Sequence, residues 1–418
     1  MAEIRALYAD ENGNILDAPK GFEALARTGT DIVKLSPDDL IPLPESADLM
    51  FLPDRLPLAE YDGETMPIMG NAVAAILPAG YTRLYMPAFK KEEGAQLLPL
   101  YGYTAVVVYK NELYAAAAYT DENDKWDPVH YNTRNLHKLV KRVQKDLPDN
   151  RLVEHLGNCS LTWHCCTAQN LFYRRWEAGI PTSPVCNANC FGCISLQPAE
   201  CCPSPQSRIK FRPTPKEIAQ IGIYHLETAP DAIISFGQGC EGEPSLAADN
   251  IVPAIEKIRK KTAKGQININ TNAGYTDGIR RIVDAGLDSM RVSIISAVPE
   301  NYQAYYRCSY ELDNVKESIR YAHEHGVHIS LNMLYFPGFN DSESEAAAWK
   351  EFLAENHVDM IQIRNLNVDP DAFAAIMPPF TKAIGTKEFF RQLREQFPHV
   401  AIGSFSHYQK DRGGENKA

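Results

Sequence analysis

The sequence predicts an α/β fold: an open, partial (β/α)6 barrel over residues 180–405, preceded by a smaller α+β accessory domain over 1–155. Three observations lead there. Beyond residue 213, short apolar strands alternate with amphipathic helices, the pattern of a parallel sheet covered by helices. Loops rich in glycine, asparagine and acids follow the strands directly, at the end of the sheet where such folds build their sites. The units number about six, too few to close an eight-fold barrel.

Taken in order, "YTAVVVYKNELYAAAAY" (103–119) reads as a β-hairpin turning at Lys110-Asn111-Glu112, and a helix over 133–147 stops at Pro148. Residues 156–212 are irregular and proline-laden, a cysteine-rich linker and loop, with the first barrel strand expected at "IPTSPVC" near 180. Thr214 and Glu217 form a capping box with Pro215 at the first helical position. Strands follow at 231–236, 266–272, 288–296, 327–335 and 359–368. Helices lie between them, one opened by a second capping box, Ser342 and Glu345, and the last is "KEFFRQLREQF". Residues 406–418 read as a flexible tail.

Bulk properties narrow the function. A formal charge of −11 over 418 residues disfavours nucleic acid as a partner. No apolar run reaches the ~20 residues of a membrane span, and the first residues carry acids rather than a signal-peptide core, so a cytoplasmic protein is expected. Eight of the ten cysteines fall between Cys159 and Cys202. Such clustering in a long chain points to metal or redox chemistry rather than a disulfide scaffold.

The sharpest signal is "CNANCFGC": Cys186, Cys190 and Cys193, spaced C-x3-C-x2-C. Tetrahedral metal sites and cubane clusters ordinarily take four protein ligands, and a zinc site shows paired cysteines or histidines that complete the set. With "GQGCEGEP" after the second strand and "NTNA" after the third, the ordered set resembles the radical S-adenosylmethionine (SAM) superfamily over about residues 180–400. The resemblance implies that the three thiolates hold a [4Fe–4S] cluster whose open iron takes SAM. Reductive cleavage then gives a 5′-deoxyadenosyl radical that removes hydrogen from a substrate. It further implies SAM contacts at Gly242 and Glu243, at Asn270 and Asn272, at Arg291 and Ser293 on the fourth strand, and at Asn332 and Asn365 on the fifth and sixth. Ile361 and Ile363 would wall the adenine. The pattern departs at Gly192, where the family often carries an aromatic residue; the backbone carbonyl there remains available as a contact.

The resemblance also implies a reductant such as flavodoxin or ferredoxin. The substrate stays open, with a peptide or protein among the classes, and the rival reading is an iron–sulfur or zinc scaffold or sensor without catalysis. Cys159, Cys165, Cys166, Cys201 and Cys202 are candidates for an auxiliary iron–sulfur cluster or for buried free thiols. Cys240 is either a catalytic thiol near the mouth or a small loop residue. In "RNLNVDP", Arg364, Asn367 and Asp369 stand where substrate is expected, or else cap the loop.

Overall fold

The computed structural model describes residues 3–121, 124–198 and 201–409. Between Ile4 and Tyr119 the chain is an antiparallel β unit of fourteen strands. The expected hairpin is present, Thr104–Tyr109 against Glu112–Tyr119, with a two-residue turn. Lys110 and Asn111 both adopt positive φ (54° and 65°), which matches the twist of the flanking strands. The unit's interior is largely alanine: Ala9, Ala26, Ala59, Ala74, Ala75, Ala115 and Ala116 are fully buried. Alanine carries no strand signature, so these strands leave little trace in the sequence.

The unit is therefore β-rich, and the one helix expected within it, with two more that were not expected, serves the barrel. Leu136–Asp146, Arg151–Leu161 and Cys166–Tyr173 put Val140, Val143, Leu152, Leu156 and Phe172 into the same core as the barrel helices. The barrel is a sheet of seven parallel strands in sequential order: Glu177–Gly179, Ile233–Phe236, Gln266–Thr271, Ser289–Ile294, His328–Tyr335, Met360–Asn365 and Ala401–Gly403. Its first strand ends before the expected segment, whose two prolines have no N–H to give a ladder. The seventh strand, three residues long, was not expected. Within the presumed tail, Gln409 bonds Gln266 and His407 bonds Asp121; residues 410–418 lie outside the described residues.

Thr214 and Glu217 form their capping box. The box at Ser342 does not form: Ser342 is the N-cap without a side-chain cap bond. Glu345 turns instead to Ser296 Oγ (2.5 Å) and Asn301 Nδ2 (2.7 Å), which donate to it. Burial pushes its carboxyl up to about 7 from 4.5. A carboxyl so raised stabilises the fold fully below its unfolded pKa and loses that contribution as pH rises through the folded value. Denaturant titrations should therefore show this group's share of stability, on the order of 3 kcal/mol, disappearing between about pH 4.5 and 7. Glu345→Gln should flatten that fall; an unchanged pH profile would show that the group does not titrate there.

The β unit sits over the C-terminal ends of the fifth and sixth strands, held by three arginines. Arg55 pairs with Asp369 at 3.0 Å, both side chains 1% exposed. Arg83 donates to the Leu366 carbonyl and lies over the Phe336 ring, and Arg27 pairs with Asp371.

Candidate active site

Between the barrel mouth and the β unit lies a cavity of about 620 Å³. Cys186, Cys190 and Cys193 stand together in its wall. Their loop is held by backbone bonds to the helix Pro299–Tyr306, Asn189 N to Tyr306 O (2.9 Å) and Phe191 N to Tyr305 O (3.0 Å). Asn272 Nδ2 donates to Asn187 Oδ1 at 2.7 Å, tying the loop to the turn after the third strand. Burial pushes the Cys186 thiol up to about 11 and raises the Cys190 thiol well above its ordinary value. The Arg208 guanidinium lies against Cys193, 3.4 Å from its sulfur. At Gly192 a Cβ would fall 2.8 Å from the Tyr305 hydroxyl and 2.9 Å from Val368. The aromatic at this corner is thus Tyr305, from the neighbouring helix, and the position before Cys193 has to stay bare.

The loop after the second strand is shaped by close backbone approach. A Cβ on Gly242 would meet the Val185 carbonyl at 2.0 Å, and one on Gly237, whose φ is +78°, would meet the Asn270 carbonyl at 1.7 Å. Glu243 is buried, and its carboxylate accepts from Thr271 Oγ1 (2.5 Å), Asn272 N (2.8 Å) and Ser245 N (3.0 Å). Its side chain thus locks the loop to the third strand and leaves the backbone to face the cavity. Glu241, which sequence reasoning passed over, accepts from Thr182 N and Oγ1, Ser183 N, Gly237 N and Gln238 N. It clasps the first two strand ends together, and burial pushes it up to about 7. The signal for it was a second acid inside the glycine-rich motif.

Gly192, Gly242, Glu243, Asn270, Asn272, Arg291, Ser293, Asn332 and Asn365 all line the cavity. Asn365 differs from expectation in its partners: it donates to the Tyr81 carbonyl and accepts from Arg83 N, joining the sixth strand to the β unit. Ile363 lines the cavity; Ile361 does not. Arg364 and Asn367 line it too, and the Arg364 side chain makes no hydrogen bond or ion pair among the described residues. Burial, then the neighbouring Arg291, lowers its pKa to about 10. Arg291 itself pairs with Glu177 at 3.2 Å, both 4% exposed.

Two candidates fall away from the cavity wall. Asp369 caps the helix Pro370–Ile376 and pairs with Arg55. Cys240 is buried and faces the helix Arg151–Leu161, beside Cys159 and His155. Of the remaining cysteines, Cys201 and Cys202 form an adjacent pair with sulfurs 3.7 Å apart, and Cys166 points at the His164 carbonyl. The sequence also gave no hint that the β unit supplies Ile76 to Tyr81 and Gly102 to the cavity roof.

The residues fit a cluster and SAM. Three thiols share one corner, two glycines open the loop beside them, and polar atoms at the wall lack partners: Gln238 Nε2, Asn332 Oδ1, Tyr306 OH, Ser404 Oγ and Arg291 Nε. Buried polar groups are ordinarily satisfied, so unpartnered ones around a cavity suit a polar ligand. Fold and site together define a partial parallel barrel with a three-cysteine corner. Residues 180–349 match the family model described as the radical SAM superfamily. An uncharacterized protein of Methanocaldococcus jannaschii is 30% identical over 211 residues, covering 49% of this chain and 63% of that one. GTP 3′,8-cyclase of Aquifex aeolicus is 28% identical over 164 residues, covering 38% and 47%. The chain thus matches less than two thirds of the length of either relative. Among solved structures, methylornithine synthase aligns with a TM-score of 0.39 at 13% identity, over 67% of this chain and 74% of that one. Members of the superfamily generally use a [4Fe–4S] cluster and SAM with a reductant. No helix among the described residues is long and apolar enough to cross a membrane.

Proposed function

We propose that the enzyme holds a [4Fe–4S] cluster on Cys186, Cys190 and Cys193 and SAM against Gly242, Glu243, Asn270, Asn272, Arg291, Ser293 and Asn332. The observation that carries this reading is the three thiols in the wall of one cavity with those residues. When bound, cluster and SAM supply a 5′-deoxyadenosyl radical that removes a hydrogen atom from substrate. The chain's own contribution is to bind, orient and keep water away. Backbone groups of Gly242 and Glu243 serve the SAM amino group, and the roof residues 76–81 cover the reacting face. A flavodoxin- or ferredoxin-like reductant in the cytoplasm suits ten free cysteines.

Arg364 is the residue we assign to substrate. A guanidinium without a partner in a cavity wall suits a carboxylate or phosphate. The roof favours a small molecule, or the end of a peptide, over the face of a folded protein. A nucleotide, as the name of the Aquifex aeolicus relative suggests, and a peptide carboxylate both satisfy that cation.

The test is anaerobic: reconstitute with iron and sulfide, add SAM and a strong reductant, and quantify 5′-deoxyadenosine. Its appearance supports the reading; an assembled cluster with SAM bound but uncleaved, in the presence of nucleotide and peptide panels, would favour a sensor. Arg364→Ala should keep uncoupled cleavage within about twofold while lowering substrate-stimulated turnover by about tenfold to a hundredfold, the ~1.5–3 kcal/mol of a charged hydrogen bond. Loss of the cluster in this variant would remove Arg364 from the substrate role.

A further inference from the structure

We propose a second metal site, separate from the cysteine triad: a single tetrahedral ion, zinc by its donor set, held by His155, Cys159, Cys165 and Cys240. His155 and Cys159 are four apart on the helix Arg151–Leu161 and so share a face. Cys240 comes from the loop after the second barrel strand, and the ligand atoms of these three residues lie within 4.8 Å of one another. Cys165 is the N-cap of the next helix, and its backbone N–H donates to the Cys159 carbonyl at 3.1 Å; its thiol lies outside that 4.8 Å group and would swing in to complete the tetrahedron when metal binds.

The spacing selects the kind of ion. With Zn–S near 2.3 Å and Zn–N near 2.0–2.1 Å, tetrahedral ligand atoms stand roughly 3.5–3.8 Å apart. Cys159 Sγ and His155 Nε2 are 3.6 Å apart. A cubane cluster holds its thiolates on separate irons and spreads them wider, so the auxiliary cluster weighed from the sequence suits this pocket less well. Three sulfurs and an imidazole are a structural zinc set. Cys159 and Cys240 are 1% and 3% exposed, so the ion would be shielded from solvent.

Its consequence is mechanical. The ion would join a helix outside the barrel to the residue preceding Glu241, Gly242 and Glu243, and so brace the loop proposed to face SAM. Thiolate binding would release protons, so metal retention should weaken in acid.

The test is elemental analysis of the full chain carrying Cys186→Ala, Cys190→Ala and Cys193→Ala, purified without chelator from medium supplied with zinc and iron. Removing the triad separates this site from the proposed cluster, so the two readings fail independently. About one zinc per chain is expected, lost on adding Cys159→Ser or Cys240→Ser and kept with Cys166→Ser. Cobalt replacement should give a thiolate-to-metal charge-transfer band in the triad variant, a readout that survives even if Cys159→Ser fails to fold. Absence of stoichiometric metal, iron accompanied by acid-labile sulfide, or zinc retained after both serine substitutions would each overturn the proposal.

Discussion

Cys186→Ala will reduce 5′-deoxyadenosine formation to background and strip the cluster iron, while leaving the fold in place. The thiol is half-buried beside the Ala188 backbone N–H, and its loop is held by the backbone of 189 and 191 and by Asn187. Losing one sulfur from such a site should cost about 1 kcal/mol of stability, against complete loss of a cubane that needs all three thiolates. Iron analysis, the visible spectrum and a thermal melt read the three effects separately. An unchanged deoxyadenosine yield would mean that the cluster lies elsewhere.

Asp369→Asn will lower stability by about 3–5 kcal/mol, the cost of leaving a buried partner charge uncompensated. Arg55 is 1% exposed, and its Nε already lacks a partner. The Asp369 Oδ2 accepts both from Arg55 and from Leu98 N, each at 3.0 Å. Asparagine is itself a good N-cap, so the change spares the bonds from Asp371 N and Ala372 N and isolates the ion pair. A denaturant melt of the two proteins measures it. A difference under about 1 kcal/mol would show that the pair is solvated. A stable Asn variant that still cleaves SAM but has lost turnover would restore Asp369 to the substrate role that sequence alone suggested.

That exchange of roles shows how far sequence carries. The barrel was legible because its strands are rich in Ile and its helices announce themselves with caps. Thr214 and Pro215 mark a helix start by local chemistry alone. Ser342 and Glu345 carry the same local pattern, yet Glu345 bonds across to Ser296 and Asn301, which no local rule registers. The accessory unit was read poorly because its strands are packed with alanine, small enough to let sheets approach closely but silent as a β signal.

By itself, the sequence determined the parallel barrel, the three-cysteine loop and the side chains that line one cavity. These follow from periodicity and from spacing along the chain, where neighbouring residues act on one another through a few bonds. Tertiary structure alone decided that Asp369 meets Arg55, that Cys240 meets Cys159 and His155, and that residues 76–81 roof the cavity. Each joins segments tens to hundreds of residues apart. Their pairing depends on how the β unit and the flanking helices dock, a packing outcome that no window of sequence encodes.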